Sequence, residues 1–173
     1  MRIFIAVDFP ENIKKEIARI QEKLPEFQGK ITEKENLHLT LKFLGETDEK
    51  ALGEVKKRLS EIRLKSFEAE ISSIGYFSEK FLRIIWLGIS GCNELQKQID
   101  NKLEGLFGKE ERFMGHLTIA RIKNVKGKQK FIEELKKIKV PSMKFRINAF
   151  CLKQSVLTSE KPLYKNLGVY SLK

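Results

Sequence analysis

The sequence has no long apolar run and few of the residues that build disulfides, metal centres or activated nucleophiles. Its apolar stretches, such as residues 84–89, fall far short of the ~20 residues that a membrane helix needs. Residues 1–8 are too short and too soon acidic for a signal peptide, so we expect a cytoplasmic protein that does not contact a membrane. Cys92 and Cys151 lack both a Cys-x-x-Cys spacing and a neighbouring histidine, and we expect two buried thiols.

Several catalytic signatures are absent as well. There is no Gly-x-Ser-x-Gly and no cysteine beside a histidine, which argues against nucleophilic serine or cysteine catalysis. No glycine-rich phosphate loop of the kind that binds ATP occurs. The two histidines are too few for the roughly three protein ligands of a catalytic zinc, and there is no His-Glu-x-x-His. We therefore expect no metal and no cofactor.

The charge of this 173-residue chain is unevenly distributed. Residues 121–173 hold 14 Lys and Arg against three Asp and Glu, whereas residues 1–120 hold 20 of each sign, so the whole surplus of +11 lies in the last third. Such a surface favours a polyanion partner such as RNA, because phosphates attract Lys and Arg and release counterions on binding. A solvated lysine-rich face is the alternative. The abundance of Lys and Glu is also typical of thermophiles.

The periodicity of the apolar residues predicts one α+β domain, residues 1–173, built from two similar β-α-β-α-β units. The repeats cover about residues 2–75 and 82–153, and a closing hairpin follows at 154–173. A duplicated unit commonly forms two lobes about a pseudo-twofold axis, so we expect a bilobal fold with mostly antiparallel sheets lining a central cleft. The predicted strands are 2–7, 37–44, 67–75, 82–89, 116–121 and 143–152, and the helices are 10–24, one after Thr47 as N-cap, one over 95–106, and 128–138.

Each of the two histidines opens a His-Leu-Thr triplet, at His38 and His116. Only five residues of the chain are threonine, so a chance threonine two positions after both histidines is improbable. The alternation of side chains along a strand places His38 and Thr40 on one face, with Phe43 and the leucines on the other. It likewise places His116 and Thr118 together. The two triplets are therefore expected to face each other across the cleft.

Two facing imidazoles suit in-line attack at phosphorus, since one can accept a proton from the nucleophile while the other donates one to the leaving oxygen. The spacing alone does not assign these two roles. The threonine hydroxyls can bind phosphoryl oxygens, and a nearby cation can stabilise the charge that develops. Lys42 has the correct strand parity for this position. Arg121 has the wrong parity and needs a strand end or a β-bulge to turn into the cleft.

These residues resemble the two-histidine phosphoesterase superfamily, and specifically its RNA 2',3'-cyclic phosphodiesterases, also called 2'-5' RNA ligases. The resemblance rests on the stretches around the two triplets, residues 36–46 and 113–121, and is supported by residues 1–10, 83–88 and 162–164. It implies hydrolysis of RNA 2',3'-cyclic phosphate ends to 2'-phosphomonoesters without a metal. It also implies that His38 donates a proton, that His116 accepts one, and that Thr40 and Thr118 hold the phosphate.

The resemblance leaves some questions open. The family usually has proline before the second histidine, whereas Gly115 stands there in this chain, which predicts a more mobile approach to His116. Ligation of tRNA halves through a 2'-5' linkage is the same reaction reversed and is an alternative activity. A basic RNA-binding module without catalysis is a second alternative. We expect a monomer that acts on single-stranded RNA ends, including tRNA fragments.

Overall fold

The computed structural model describes residues 1–159 and 161–173, which form two antiparallel sheets flanked by helices. Within these residues, no helix combines the length and apolar character needed to cross a membrane. The elements are β1 (Arg2–Asp8), α1 (Glu11–Glu22), β2 (Gln28–Ile31), a short 3-10 helix (Lys34–Asn36), β3 (His38–Glu46), α2 (Glu49–Ser60), β4 (Phe67–Tyr76), β5 (Ile84–Ser90), α3 (Asn93–Lys102), β6 (His116–Asn124), α4 (Lys128–Lys136), β7 (Met143–Ile147), β8 (Ala149–Leu157) and β9 (Pro162–Ser171).

The two sheets have closely similar strand orders. The first sheet has the order β3-β1-β8-β9 and the second has the order β2-β6-β5-β4-β7. In the first sheet, β1 lies between β3, which begins with His38, and β8, which comes from the second half of the chain. In the second sheet, β5 lies between β6, which begins with His116, and β4, which comes from the first half. All the pairings are antiparallel. The bilobal α+β architecture is therefore confirmed, but each lobe contains strands from both halves of the chain.

The apolar periodicity of the sequence located the four helices correctly, because each helix buries one face. In α1 this face is Ile13, Ile17 and Ile20, all of them buried. The strands of both sheets contribute to the same continuous apolar core. Burial of the apolar surface of these core side chains is the main stabilising contribution to the fold, at about 25 cal/mol per Å² of apolar surface removed from water.

Four local predictions were wrong or incomplete. The predicted strand 143–152 is two strands interrupted at Asn148, because β7 pairs with β4 while β8 pairs with β1 in the other sheet. The N-cap of α2 is Asp48 rather than Thr47, and the Asp48 carboxylate accepts a hydrogen bond of 2.7 Å from the Ala51 amide. Strand β2 was missed, since its four residues are all exposed and carry no apolar alternation. The closing hairpin begins earlier than predicted, at β8.

Candidate active site

Strands β3 and β6 place the two histidines at equivalent positions in the two sheets. His38 is paired with Asp8 on β1, and His116 is paired with Gly88 on β5. The residues that follow them, Leu39 and Leu117, are fully buried, so each histidine faces away from the core. This is the arrangement that period-two alternation predicts for the first residues of both strands.

The two imidazoles are held by the same local contact. Nδ1 of His38 lies 2.7 Å from the carbonyl oxygen of Asn36, and Nδ1 of His116 lies 2.7 Å from that of Met114. A carbonyl oxygen can only accept, so each Nδ1 carries the hydrogen. Nε2 is consequently the nitrogen of each ring that can exchange a proton with a bound substrate.

A β-bulge follows the threonine in both motif strands and reverses the side-chain alternation beyond it. On β3, Lys42 pairs with Ile5 and Thr40 with Ala6, which leaves Leu41 as an extra residue. On β6, the extra residue in the same place is Ile119. An extra residue shifts the following side chains to the opposite face. The bulge that Arg121 was predicted to need is therefore present, and Arg121 lines the cleft.

The same bulge makes the sequence-based placement of Lys42 wrong. The Lys42 side chain is buried, forms an ion pair with Asp100 on α3, and donates a hydrogen bond of 2.6 Å to the carbonyl oxygen of Gly108. Burial alone would raise the pKa of Asp100, but hydrogen bonds from Lys42, Gln96 and a backbone amide hold that pKa below its usual value. Lys42 therefore joins β3 to α3 and does not reach the cleft.

Phe43 occupies the cleft position that was assigned to Lys42. It was predicted to face the core, yet it is 71% exposed and lines the cavity beside Thr40. Phe43 on β3 is the counterpart of Arg121 on β6, since each is the fifth residue after its histidine and follows the same bulge. The equivalent positions of the two lobes thus present an aromatic ring and a guanidinium group to one cavity.

The cavity between the sheets has a volume of about 650 Å³ and brings together five of the six predicted site residues: His38, Thr40, His116, Thr118 and Arg121. Strand periodicity did not identify its remaining walls, which come from distant segments of the chain. Among them are Arg2, Phe4, Lys30, Asn36, Phe43, Lys161 and Tyr164. Lys161 is already engaged by Glu33 and Glu35, at 2.6 and 3.1 Å. Among the described residues, the cavity lining thus contains four cations and three aromatic rings against one carboxylate, that of Glu33.

The surroundings of His38 strongly favour its neutral form. The ring centroids of Phe4 and Tyr164 each lie 5.0 Å from that of His38. Burial, opposed by the hydrogen bond to Asn36, lowers the pKa of His38 to about 4. The charges of Lys153 and Arg121 lower it further, and that of Asp8 partly compensates. Asp8 also accepts a hydrogen bond of 2.9 Å from the buried Lys153. His38 is therefore uncharged in the free protein at neutral pH.

The backbone of Gly115 passes very close to the neighbouring strand. Its carbonyl oxygen accepts a hydrogen bond of 2.8 Å from the Ile89 amide, and a Cβ at this position would lie 2.3 Å from the Ile89 carbonyl oxygen. Because real Cβ atoms do not approach an oxygen so closely, a larger residue at position 115 would require the backbone around Gly115 or Ile89 to shift. The glycine serves close packing here, in addition to any freedom it confers.

The two thiols and the acidic residues do not form a second reactive centre. Cys92 and Cys151 are both unpaired and buried, as predicted, and burial raises their pKa values to about 12 and about 11. At neutral pH both are protonated and poorly nucleophilic. Within residues 1–159 and 161–173, no three His, Cys, Asp or Glu side chains are grouped so that they could hold a metal ion.

Comparisons with known proteins match the chain over nearly its full length. The family model described as LigT-like phosphoesterase matches residues 7–86 and again residues 89–164, and each segment contains one histidine triplet. Three relatives are named RNA 2',3'-cyclic phosphodiesterase. The protein of Methanocaldococcus jannaschii is 40% identical over 95% of this chain and 97% of its own. That of Thermotoga maritima is 37% identical (96% and 93%), and that of Archaeoglobus fulgidus 33% (98% and 99%).

Two solved structures have the same fold. TT0787 of Thermus thermophilus superposes with a TM-score of 0.83 at 28% identity, over 99% of this chain and 98% of its own. LigT of E. coli complexed with 3'-AMP superposes with a TM-score of 0.80 at 22% identity, over 99% and 97% of the two chains. The second similarity concerns the fold alone.

Proposed function

The chain belongs to the LigT-like phosphoesterase family, and on that premise we propose that it hydrolyses RNA 2',3'-cyclic phosphate ends to 2'-phosphomonoesters. The observation that carries the proposal is the presence of two histidines, with equivalent Nδ1 contacts, on one cationic cavity. Each also has a threonine two residues away on the same wall. The proposed substrates are single-stranded RNA ends, tRNA fragments among them, bound by a monomeric protein.

In the proposed reaction, water attacks phosphorus in line with the bond to the 3' oxygen. His116 accepts a proton from the water through Nε2, and His38 donates one to the departing 3' oxygen. A P–O bond to water forms, the P–O3' bond breaks, and a 2'-phosphomonoester and a free 3' hydroxyl result. Thr40 and Thr118 donate hydrogen bonds to the non-bridging oxygens, and Arg121 stabilises their increasing charge.

The neutral state of His38 in the free protein places a condition on this assignment. A proton donor must be protonated before the leaving oxygen departs, whereas the pKa of His38 is about 4 without substrate. An anionic phosphodiester beside Nε2 favours the imidazolium form and raises that pKa. We therefore infer that substrate and a proton bind together, and that the substrate's own charge prepares His38 as the acid.

The cavity walls also suggest how the terminal nucleotide is held. The exposed ring of Phe43 and the ring of Tyr164 offer surfaces on which a base can stack. Arg2 and Arg121 supply positive charge for phosphate groups. A cavity of about 650 Å³ is within the usual range for small-molecule sites, so one nucleotide with its cyclic phosphate fits the proposed role.

Turnover of an oligonucleotide ending in a 2',3'-cyclic phosphate, in the presence of EDTA, tests the proposal. We expect a 2'-phosphate product and a loss of activity of at least about 100-fold in both His38→Gln and His116→Gln, the usual contribution of a general acid or base. Lys56→Gln, an exposed change on α2, is the matched control and should retain activity. Full activity in either histidine variant would refute the mechanism. Salt-sensitive RNA binding without any turnover would instead favour the non-catalytic alternative.

A further inference from the structure

The loop between β4 and β5, residues 77–83, is an exposed surface beside His116 that the proposed reaction leaves unused. The Phe77 ring stands edge-on to the His116 ring, with 5.0 Å between centroids, and lies 5.8 Å from the Trp86 ring. Phe77 is nevertheless 54% exposed, and Phe81 in the same loop is 64% exposed. Two large aromatic rings exposed on one short loop indicate a binding surface.

Cations from three segments surround these rings. Lys80 Nζ lies 5.4 Å from the centroid of Phe81, and Lys128 Nζ at the start of α4 donates a hydrogen bond of 3.3 Å to the carbonyl oxygen of Lys80. Arg83 donates one of 3.1 Å to the carbonyl oxygen of Lys123 at the end of β6. These four side chains are exposed, and none forms an ion pair with a carboxylate in the described part of the chain.

The loop itself is held in shape. The Phe81 amide donates a hydrogen bond of 3.2 Å to Ser78 Oγ, which closes a turn that displays Phe81. The one nearby carboxylate in the loop, Glu79, accepts a hydrogen bond of 2.9 Å from the Tyr76 hydroxyl. The neighbouring Leu82 is buried and anchors the turn to the core. Exposed rings on an anchored turn lose little conformational freedom when a partner binds.

We propose that residues 77–83, with Lys123 and Lys128, form a binding surface for single-stranded RNA, here called the β4–β5 surface. Alternating aromatic rings and cations suit such a strand, because bases stack on the rings while phosphates contact the cations. The cyclic phosphate is the 3' end of its chain, so the rest of the RNA leaves the cavity through the preceding nucleotides. Phe77 touches His116, and the β4–β5 surface therefore begins where the cavity ends.

This inference rests on the proposed function, since it assigns the β4–β5 surface to nucleotides that precede the reacting end. It makes the protein selective for oligonucleotides over mononucleotides. Phe81→Ala tests it, because Phe81 is exposed and does not line the cavity. We expect KM for a ten-nucleotide RNA with a 2',3'-cyclic end to rise about tenfold, as expected from the loss of one base–aromatic stack. The constants for a 2',3'-cyclic mononucleotide should change less than twofold.

The charge contribution is tested separately with the double variant Lys123→Gln, Lys128→Gln. Each lost phosphate contact on a single strand should lower the slope of log KM against log salt concentration by about 0.7, so the pair should lower it by about 1.4. Val169→Ala on β9, which is 60% exposed, and Lys56→Gln on α2 are the matched controls. Both should behave as the unaltered protein with either substrate.

Binding of a 3'-phosphorylated ten-nucleotide RNA, measured by fluorescence anisotropy, separates this inference from the proposed function. Absence of turnover in the unaltered protein would refute the proposed function, while weaker binding by Phe81→Ala would still support the β4–β5 surface. Unchanged oligonucleotide binding and KM in Phe81→Ala and in the double lysine variant would overturn the inference alone. Equal losses with mononucleotide and oligonucleotide would also overturn it, because they would place the effect in the cavity.

Discussion

His38 should stay neutral in the free protein to a far lower pH than an ordinary histidine. Burial, to which the neighbouring rings of Phe4 and Tyr164 contribute, is the main reason that its pKa falls from 6.5 to about 4, although the contact with Asn36 opposes it. Because one pKa unit corresponds to 1.36 kcal/mol, these surroundings disfavour the charged form by about 3 kcal/mol. The perturbation to apply is therefore acidification, followed by addition of a phosphate ligand.

The protein suits NMR titration, because it has only two imidazole rings whose Hε1 signals must be followed. The His38→Gln and His116→Gln variants assign them. The His38 signal should remain in its neutral position from pH 8 to about pH 5 while the protein stays folded. Inorganic phosphate, as a ligand for the cavity, should shift the midpoint of the His38 titration upward. A midpoint near 6.5 without ligand would refute the reasoning from burial.

The same shift predicts how stability depends on pH. Between the folded pKa of about 4 and the unfolded value of 6.5, the unfolded chain binds more protons, so the free energy of unfolding falls as the pH falls through this window. Between pH 8 and pH 5 this linkage amounts to about 2 kcal/mol. Urea unfolding at the two pH values should show this loss in the unaltered protein and in His116→Gln. In His38→Gln, the loss of unfolding free energy between pH 8 and pH 5 should be smaller by about 2 kcal/mol.

Three further substitutions have expected outcomes. Lys42→Ala should destabilise the fold by about 3–5 kcal/mol in urea unfolding, because it leaves Asp100 buried without its cation. The activity of the folded fraction should persist. A large loss of kcat in fully folded protein would instead show that Lys42 acts in the active site. Arg121→Ala should lower kcat/KM by about 100-fold without a change in melting temperature, and Arg121→Lys should recover part of the lost kcat/KM. An unchanged kcat/KM in Arg121→Ala would show that Arg121 does not take part in the reaction. Gly115→Ala should destabilise the fold by about 1–3 kcal/mol, since the alanine Cβ would clash with the Ile89 carbonyl oxygen. An unfolding curve identical to that of the unaltered protein would contradict the close approach of the two backbones.

The sequence predicts the positions of the histidines and threonines in this cavity better than it predicts the other residues that line the cavity. His38 and Thr40 are two residues apart on one strand, and such a short interval leaves no room for an irregularity between them. The next cleft residue on β3 lies beyond a bulge, and a bulge is produced by the register with β1, which no local pattern in β3 reveals. That is why the alternation selected Lys42 and not Phe43. The one local sign of such bulges was on β6, where the alternation placed Arg121 on the opposite face from His116.

The periodicity of the sequence likewise could not predict that β4, from the first half of the chain, joins the second sheet and that β8, from the second half, joins the first sheet. Residues 143–152 contain apolar residues at nearly every second position and no proline or glycine, yet the chain changes sheets at Asn148, because β7 pairs with β4 and β8 pairs with β1. Such a choice depends on long-range partners. Tyr164 enters the cavity for the same reason, since β9 reaches it only through its pairing with β8. Element types therefore follow from local pattern, whereas sheet membership follows from tertiary packing.

The proposed reaction requires one acid and one base, although the two lobes supply nearly identical strands. Equivalent Nδ1 contacts, threonines and bulges give both histidines the same geometry, so their difference has to arise outside the triplets. It arises from strand partners. His38 lies opposite Asp8 and contacts the rings of Phe4 and Tyr164, whereas His116 lies opposite Gly88 with the exposed Phe77 beside it. Two aromatic rings therefore flank His38 and one flanks His116, and in the proposed mechanism this asymmetry, which lies outside the triplets, distinguishes the acid from the base.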